Sequence, residues 1–361
     1  MDQMTDQNPS PSAPGPEREI LYGKTLDQLK EVARAAGQQA FVGAQLADWL
    51  YKKGAADFAS MANLSKSFRA FLEEKYDVAP TLPAKESVSG DGTKKYLFPT
   101  APGRFVEAAY IPEEDRATLC LSTQVGCRMG CLFCMTGKQG FQGQLSAAEI
   151  LNQYRALPDR ERITNIVYMG MGEPMDNLEN VLTSLEVLTA DWGYGMSPSR
   201  ITVSTVGVIP SLKEFLSRSK CHLAVSLHSP YDEERRRLMP VQNVYPLKEV
   251  LAVLKDADIE KRRRVSFEYI LFGGLNDDRA HARELVRLLS HLRCRVNLIR
   301  FHPIPNTPLQ ASDEESVLAF EQVLRDAGIT ATIRKSRGLD IQAACGLLST
   351  KALVKKAEAD Y

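Results

Sequence analysis

Ala117-Thr-Leu-Cys120-Leu-Ser-Thr-Gln-Val-Gly-Cys127-Arg-Met-Gly-Cys131-Leu-Phe-Cys134 is the stretch on which the reading of this chain turns. It opens as a short apolar run of strand type and closes in three cysteines spaced C-x3-C-x2-C. Four of the seven cysteines in the chain fall within it. An odd and clustered set is a poor disulfide framework and points to metal or redox chemistry instead. Three thiolates at this spacing can hold three irons of a [4Fe–4S] cluster, and the missing fourth leaves one iron with an open coordination position. A structural zinc site made of these three and Cys120 is the competing reading. Zinc ligands usually come as two separated pairs, and no second pair is present.

Outward from this stretch, apolar strand-like runs alternate with longer helical ones. The strand candidates are Thr118–Ser122, Asn165–Met169, Ile201–Ser204, His222–Leu227, Val265–Leu271 and Arg295–Ile299, with Ile329–Ile333 as a further edge. Ser146-Ala-Ala-Glu149 is a capping box that opens a helix with Ile150, Leu151 and Tyr154 on one face. Such alternation predicts an α/β domain with a parallel sheet, whose ligands sit beyond the carboxyl ends of the strands. The unusual residues lie there. The cysteines follow the first run, Met169-Gly-Met-Gly-Glu-Pro174 follows the second, Ser204 ends the third and His228 follows the fourth.

Ahead of this core, Leu26, Leu29, Val32 and Ala33 recur at helical spacing up to Gly37. Val42, Leu46, Trp49 and Leu50 do so up to Gly54, and Leu64, Phe68, Phe71 and Leu72 form a third helical run. Tyr96–Phe98 and Phe105–Tyr110 then read as a hairpin-like β region after Gly90-Asp-Gly92. The expected division is a disordered tail at 1–19, a helical accessory domain at 20–84 and a β-rich extension at 85–115. A core at 116–340 and a C-terminal segment at 341–361 complete it.

Composition narrows the class. With 44% hydrophobic and 25% charged residues the chain is an ordinary globular protein. No apolar run approaches the ~18 residues of a membrane span, and Met1–Glu17 lacks the features of a secretory signal. The expectation is a cytoplasmic protein. Basic and acidic residues number 45 each, so net charge lends no support to nucleic-acid binding. An RNA site would have to draw on local runs: Arg235–Arg237, Lys261–Arg264, or Arg334-Lys335 with Arg337. Each, alone, also reads as a solvated face.

The C-x3-C-x2-C spacing, with Gly130 and Phe133 between the ligands, resembles the signature of radical S-adenosylmethionine (SAM) enzymes. In those enzymes the open iron chelates SAM and an electron passed into the sulfonium yields a 5′-deoxyadenosyl radical. The fold implied is a partial (β/α)6 barrel, and a glycine-rich segment after the second strand contacts the SAM ammonium. Glycines there allow close backbone approach, and a carboxylate can hold an ammonium.

The likeness then becomes specific. Arg116-Ala-Thr-Leu-Cys120, Cys134-Met-Thr-Gly-Lys-Gln-Gly-Phe141, Met169–Pro174, Ser226-Leu-His228 and Asn297-Leu-Ile299 together resemble the RlmN family of dual-specificity RNA methyltransferases. Arg337-Gly-Leu-Asp-Ile-Gln-Ala-Ala-Cys345-Gly346 closes the set. The resemblance implies methylation of adenine C2 in 23S rRNA and certain tRNAs, with two SAM molecules per turnover and a [4Fe–4S] cluster on Cys127, Cys131 and Cys134. It implies that Cys345 carries the methyl group, that Cys120 resolves the adduct through a transient disulfide, and that Glu107 accepts the C2 proton. Gly172, Glu173, Ser204, Ser226, Leu227 and His228 are the implied SAM contacts.

One departure stands out. His302-Pro303 occupies the place where the family often has Asn-Pro, and an imidazole can stand in for the amide only in a different geometry. An electron donor such as flavodoxin or ferredoxin and a monomeric state are further implications. The nearest rival is Cfr-like methylation of adenine C8. A non-catalytic iron–sulfur or zinc RNA-binding protein is the rival from another class.

Overall fold

A computed structural model describes residues 18–257 and 263–350. The expected tail up to Glu17, the basic residues Lys261 and Arg262, and residues 351–361 lie outside the described residues.

The chain divides into two compact units. One holds the described residues up to Tyr22 together with Leu26–Ala79, and the other holds Gly23–Thr25 and everything from Pro80 onward. In the first unit, β1 (Glu19–Ile20) pairs in parallel with β2 (Tyr76–Asp77). Between them lie α1 (Leu26–Ala35), α2 (Phe41–Ala47) and α3 (Lys66–Lys75). Helix α1 buries Leu29, Val32 and Ala33, and Gly37 turns the chain with a φ of 71° that side chains resist. Helix α2 runs on as a π-helical turn over Asp48–Lys52. Leu64 falls outside α3, because the Ser65 side chain accepts the Phe68 N–H at 3.2 Å and caps the helix after it.

The second unit is built on a ten-stranded sheet. Its strands are β3 (Lys85–Val88), β4 (Lys94–Ala101), β5 (Arg104–Pro112), β6 (Ala117–Cys120), β9 (Asn165–Tyr168), β10 (Ile201–Thr205), β11 (His222–Ser226), β12 (Val265–Leu271), β13 (Arg295–Arg300) and β14 (Thr330–Ile333). A small separate ribbon pairs β7 (Gln124–Val125) with β8 (Gly143–Gln144). From β6 to β14 every pairing is parallel, in chain order. The stretch at 85–115 continues the same sheet beyond β6 as antiparallel strands.

Helices bridge each parallel step: α4 (Met135–Gln139) and α5 (Ala147–Arg155), α6 (Leu178–Thr189), α7 (Ile209–Arg218), α8 (Asp232–Leu238) and α9 (Leu247–Asp256), α10 (Arg279–Leu289), and α11 (Glu314–Asp326). The outer strands β14 and β3 do not pair with each other, so the six β/α units form an open, partial barrel. β12 is buried at all seven positions, as a strand covered on both faces must be. Helix α10 buries His281, Ala282, Leu285 and Leu289 along one stripe, and α5 opens with the Ser146–Glu149 capping box. Among the described residues, no helix is long and apolar enough to cross a membrane.

Candidate active site at the carboxyl ends of the strands

The cysteine loop leaves β7 through Gly126, whose φ is 71°. A Cβ there would stand 1.6 Å from the Gly140 carbonyl oxygen, so only glycine fits. Cys127 and Cys131 are buried and Cys134 is half-buried just ahead of α4. Burial pushes the Cys127 thiol up to about 12, and burial together with Cys134 and Cys127 pushes Cys131 well above the thiol range. Among the described residues, no three His, Cys, Asp or Glu side chains converge on a point suited to one metal ion. Three cysteines on one loop, with no second cysteine pair beside them, are the donor set that a [4Fe–4S] cluster with one open iron would take.

The loop is held from the sheet side. The Leu132 N–H donates to the Leu238 carbonyl at 2.9 Å. Cys131 and Phe133 pack in one apolar group with Val206, Leu238, Met239 and Phe272.

Glycine and glutamate follow β9. Gly172 has φ 98°, and a Cβ there would meet the Gln124 side chain at 2.5 Å. Glu173 is 3% exposed. Its oxygens accept the backbone N–H groups of Met175 and Val206, each at 3.0 Å. No cation pairs with it among the described residues, and burial raises its pKa to about 7. A buried carboxylate with amide partners and no counter-ion suits a ligand ammonium group.

On the adjacent strands, Ser204 is half-buried on β10, Ser226 ends β11, and Leu227 and His228 are buried after it. His228 takes φ 59°, its Nδ1 accepts the Ile270 N–H at 3.0 Å, and burial lowers its pKa to about 3, so the ring is neutral. His302 is half-buried, with Nε2 2.8 Å from the Ser336 hydroxyl. Burial and Arg300 lower its pKa.

The far ends of the sequence meet beside β5 and β6. Cys120 packs with Ala109 and Ala343, and Ile341 borders the same group. Burial raises the Cys120 thiol to about 12, and the neighbouring Cys345 opposes its ionisation further. Cys345 is exposed and both thiols are free, with no disulfide between them. Glu107 lies buried on β5, where its Oε1 is 3.0 Å from Lys95 Nζ and its Oε2 accepts the Ser349 N–H at 3.0 Å. Burial raises its pKa against the pull of Lys95. The segment after Cys345 is tied to α4: Met135 N–H donates to the Gly346 carbonyl at 2.8 Å, and Thr136 Oγ1 to the Leu348 carbonyl at 2.7 Å.

One expectation about charge is corrected. Arg235 does not belong to an RNA-facing run, since it is 0% exposed. It donates to the carbonyls of Val206 at 2.9 Å, Ser226 at 3.1 Å and Leu227 at 3.2 Å, and NH1 donates to Gln242 Oε1 at 2.5 Å. It thereby ties together the ends of β10 and β11. Arg263 also turns inward, donating to the carbonyls of Cys221 and Leu216 at 2.9 and 3.0 Å. Arg237, Arg264, Arg334 and Lys335 remain exposed. Lys95, Ser349 and Arg235 escaped sequence reasoning. Lys95 reaches Glu107 only diagonally across the β4–β5 register, which pairs Lys95 with Ala109 and Leu97 with Glu107.

Comparison with known proteins bears on the family and the fold. The family described as "Radical SAM superfamily" matches residues 121–286, and the "Ribosomal RNA large subunit methyltransferase N-terminal domain" matches residues 20–78. A Parabacteroides distasonis protein, "Probable dual-specificity RNA methyltransferase RlmN", is 54% identical over 330 residues, covering 91% of this chain and 96% of its own. A Porphyromonas gingivalis protein of the same description is 55% identical over 331 residues, covering 92% and 97%. The Syntrophobacter fumaroxidans "Dual-specificity RNA methyltransferase RlmN" is 43% identical, covering 90% and 96%. Among solved structures, a radical SAM methyltransferase from Sphaerobacter thermophilus superposes with a TM-score of 0.85 at 41% identity, covering 91% of this chain and 99% of its own. Matches of this length and identity leave one conclusion: the chain belongs to the RlmN family of radical SAM enzymes.

Proposed function

We propose that the protein methylates carbon 2 of adenine in RNA, in 23S rRNA and certain tRNAs, consuming two SAM molecules per turnover. The single observation that carries this reading is the meeting of three elements distant in sequence. The segment bearing Cys345 lies against Cys120 through Ala343 and against Glu107 through Ser349. A cluster protein that only bound RNA would have no use for that convergence.

Cys127, Cys131 and Cys134 would hold the [4Fe–4S] cluster, and Glu173, with the ends of β10 and β11, would hold SAM. When bound, the cluster and SAM supply an electron and a hydrogen-abstracting radical. The chain's own residues do the rest. Adenine C2 is electron-poor and cannot attack a methyl sulfonium, so the Cys345 thiolate accepts the methyl group first. Cys345 is exposed as a residue, while burial around its sulfur raises the thiol's pKa. After the methyl carbon has bonded to C2, Glu107 takes the C2 proton. The Cys120 thiolate then attacks the Cys345 sulfur, whose bond to the transferred carbon breaks. That carbon stays on adenine and takes up a proton to complete the methyl group, and the unpaired electron of the adduct would return to the centre that supplied it. A Cys120–Cys345 disulfide remains, and an electron donor of the flavodoxin or ferredoxin class reduces it. A base held within RNA structure must be splayed out to enter such a site. The N-terminal helical unit and the exposed arginines are the proposed grip on the RNA.

The test is anaerobic reconstitution with iron, sulfide, reductant and SAM, followed by mass spectrometry of RNA nucleosides from wild type and Cys345→Ala. The expected result is 2-methyladenosine from the wild type and none from the variant. An 8-methyladenosine product would transfer the case to the Cfr-like reading. SAM cleavage with every tested RNA unmodified would leave the radical SAM reading standing and the substrate assignment open.

A further inference from the structure

The Lys95–Glu107 ion pair touches both flanks of the segment that carries Cys345. Glu107 is engaged on both oxygens: Oε1 by Lys95 Nζ at 3.0 Å and Oε2 by the Ser349 N–H at 3.0 Å. Lys95 Nζ also reaches the Gln342 carbonyl at 3.4 Å. Gln342 precedes Cys345 and Ser349 follows it, so one pair of side chains on β4 and β5 holds the segment on either side of its cysteine. Both partners are shielded, with Lys95 14% and Glu107 8% exposed at the side chain.

Stability alone is a weak reason for such a pair, because desolvating two charges consumes most of their attraction. Its chemical consequence is larger. Burial drives Glu107 toward its neutral form, and a neutral acid cannot take a proton. The charges that oppose this are Lys95, in direct contact, and Lys85 on β3, farther off, with the Ser349 N–H as the remaining support. Lys95 is therefore the group that most opposes the neutral form of Glu107.

We propose that Lys95 is a positioning residue for methyl transfer: it holds the Glu107 carboxylate charged and in place, and through the Gln342 carbonyl it sets the position of Cys345 relative to that base. The proposal rests on the reading of Glu107 as the proton acceptor.

The experiment uses the full chain with its cluster loaded and compares Lys95→Met, Lys95→Gln, Lys95→Arg and Glu107→Gln. Two readouts are kept apart: methylation of Cys345, by intact-protein mass, and single-turnover transfer to RNA across a pH series. Lys95→Met is expected to methylate Cys345 yet transfer to RNA at least tenfold more slowly at neutral pH. The acid limb of its rate profile moves to higher pH, so that raising the pH restores rate. Lys95→Gln, which keeps a donor of similar length, gives the same shift and serves if the methionine variant does not fold. Lys95→Arg returns both the rate and the limb close to wild type. An acid limb unmoved in folded Lys95→Met or Lys95→Gln would overturn the proposal while leaving Glu107 as base, provided Glu107→Gln abolishes transfer. Wild-type transfer by Glu107→Gln would instead remove the base reading, and the proposal with it.

Discussion

The imidazole of His228 stands nearly edge-on to the ring of Phe133, with centroids 4.7 Å apart and planes at 69°. Phe133 lies between Cys131 and Cys134, and His228 lies in the turn after β11. The turn is braced from behind, because the His228 carbonyl accepts from Asn276 Nδ2 at 2.6 Å and its Nδ1 from the Ile270 N–H. The cysteine loop thus leans on a fixed feature of the sheet rather than on solvent.

Truncating that contact should be costly. Phe133 also packs on Phe272, with centroids 5.7 Å apart. Phe133→Ala is expected to destabilise the fold by about 3 kcal/mol, as for a large buried aromatic. Phe133→Leu, which refills much of the space, should lose less than half of that. Urea midpoints would measure the difference, and iron content after reconstitution should fall in the same order.

The buried guanidinium of Arg235 makes a sharper contrast with its neighbour. Arg235→Met takes a donor from three carbonyls and from the Gln242 amide oxygen. Leu227 and Gln242 keep the N–H groups of Ser229 and Leu247, so the loss falls mainly on the Val206 and Ser226 carbonyls and, at roughly 1 kcal/mol or more for each, should exceed about 2 kcal/mol. Arg237→Ala, at an exposed position of the same helix, should stay within about 0.5 kcal/mol. Thermal unfolding of the two variants checks this. Equal losses would mean that Arg235 does not tie β10 to β11.

Backbone space governs the entry to the cysteine loop. Gly126→Ala meets both a left-handed φ and the Gly140 carbonyl, so it is expected to prevent full cluster loading. Gly195→Ala is the control, with φ 65° and open space around its Cβ. It should show only the strain of about 1–2 kcal/mol and load iron normally. Iron and sulfide per chain decide between them.

Acid sensitivity should trace in part to His222. Its Nδ1 accepts the Arg264 N–H at 3.0 Å, and burial, then Arg264, Arg263 and Arg295, lower its pKa from 6.5 to about 4. Between those values the unfolded chain binds a proton that the folded chain refuses. The stabilising contribution is therefore complete above about pH 6.5 and is lost as pH falls toward 4. At pH 5 the loss amounts to at most about 2 kcal/mol. His222→Asn, whose amide oxygen can accept the same N–H without titrating, should flatten this part of the stability profile. Urea midpoints at pH 7.5 and pH 5 for both proteins test it.

The sheet and the three-cysteine loop were legible in the sequence. The runs around Ile166, Val203, Val225 and Phe267 read as strands because neighbouring residues share one backbone state. β12 is buried at every position and β11 at all but its last, while β9 and β10 alternate buried and half-buried positions. The cysteine motif was legible because three ligands on one loop must be close in sequence. Arg235, by contrast, looked no different from Arg236 and Arg237. All three carry the same charge, and only the packing of α8 against β10 and β11 decides which one is turned inward.

Local spacing along the chain was therefore enough for the alternating α/β order, the helix cap at Ser146 and the three-thiol loop, since each depends on contacts within a few residues. The packing of the Cys345 segment on Cys120 through Ala343, the grip of Lys95 on Glu107 and the docking of Ser349 depended on the tertiary fold alone. They join β4, β5, β6 and the C-terminal segment through strand register and packing, and interactions between residues so far apart leave no periodic trace in the sequence.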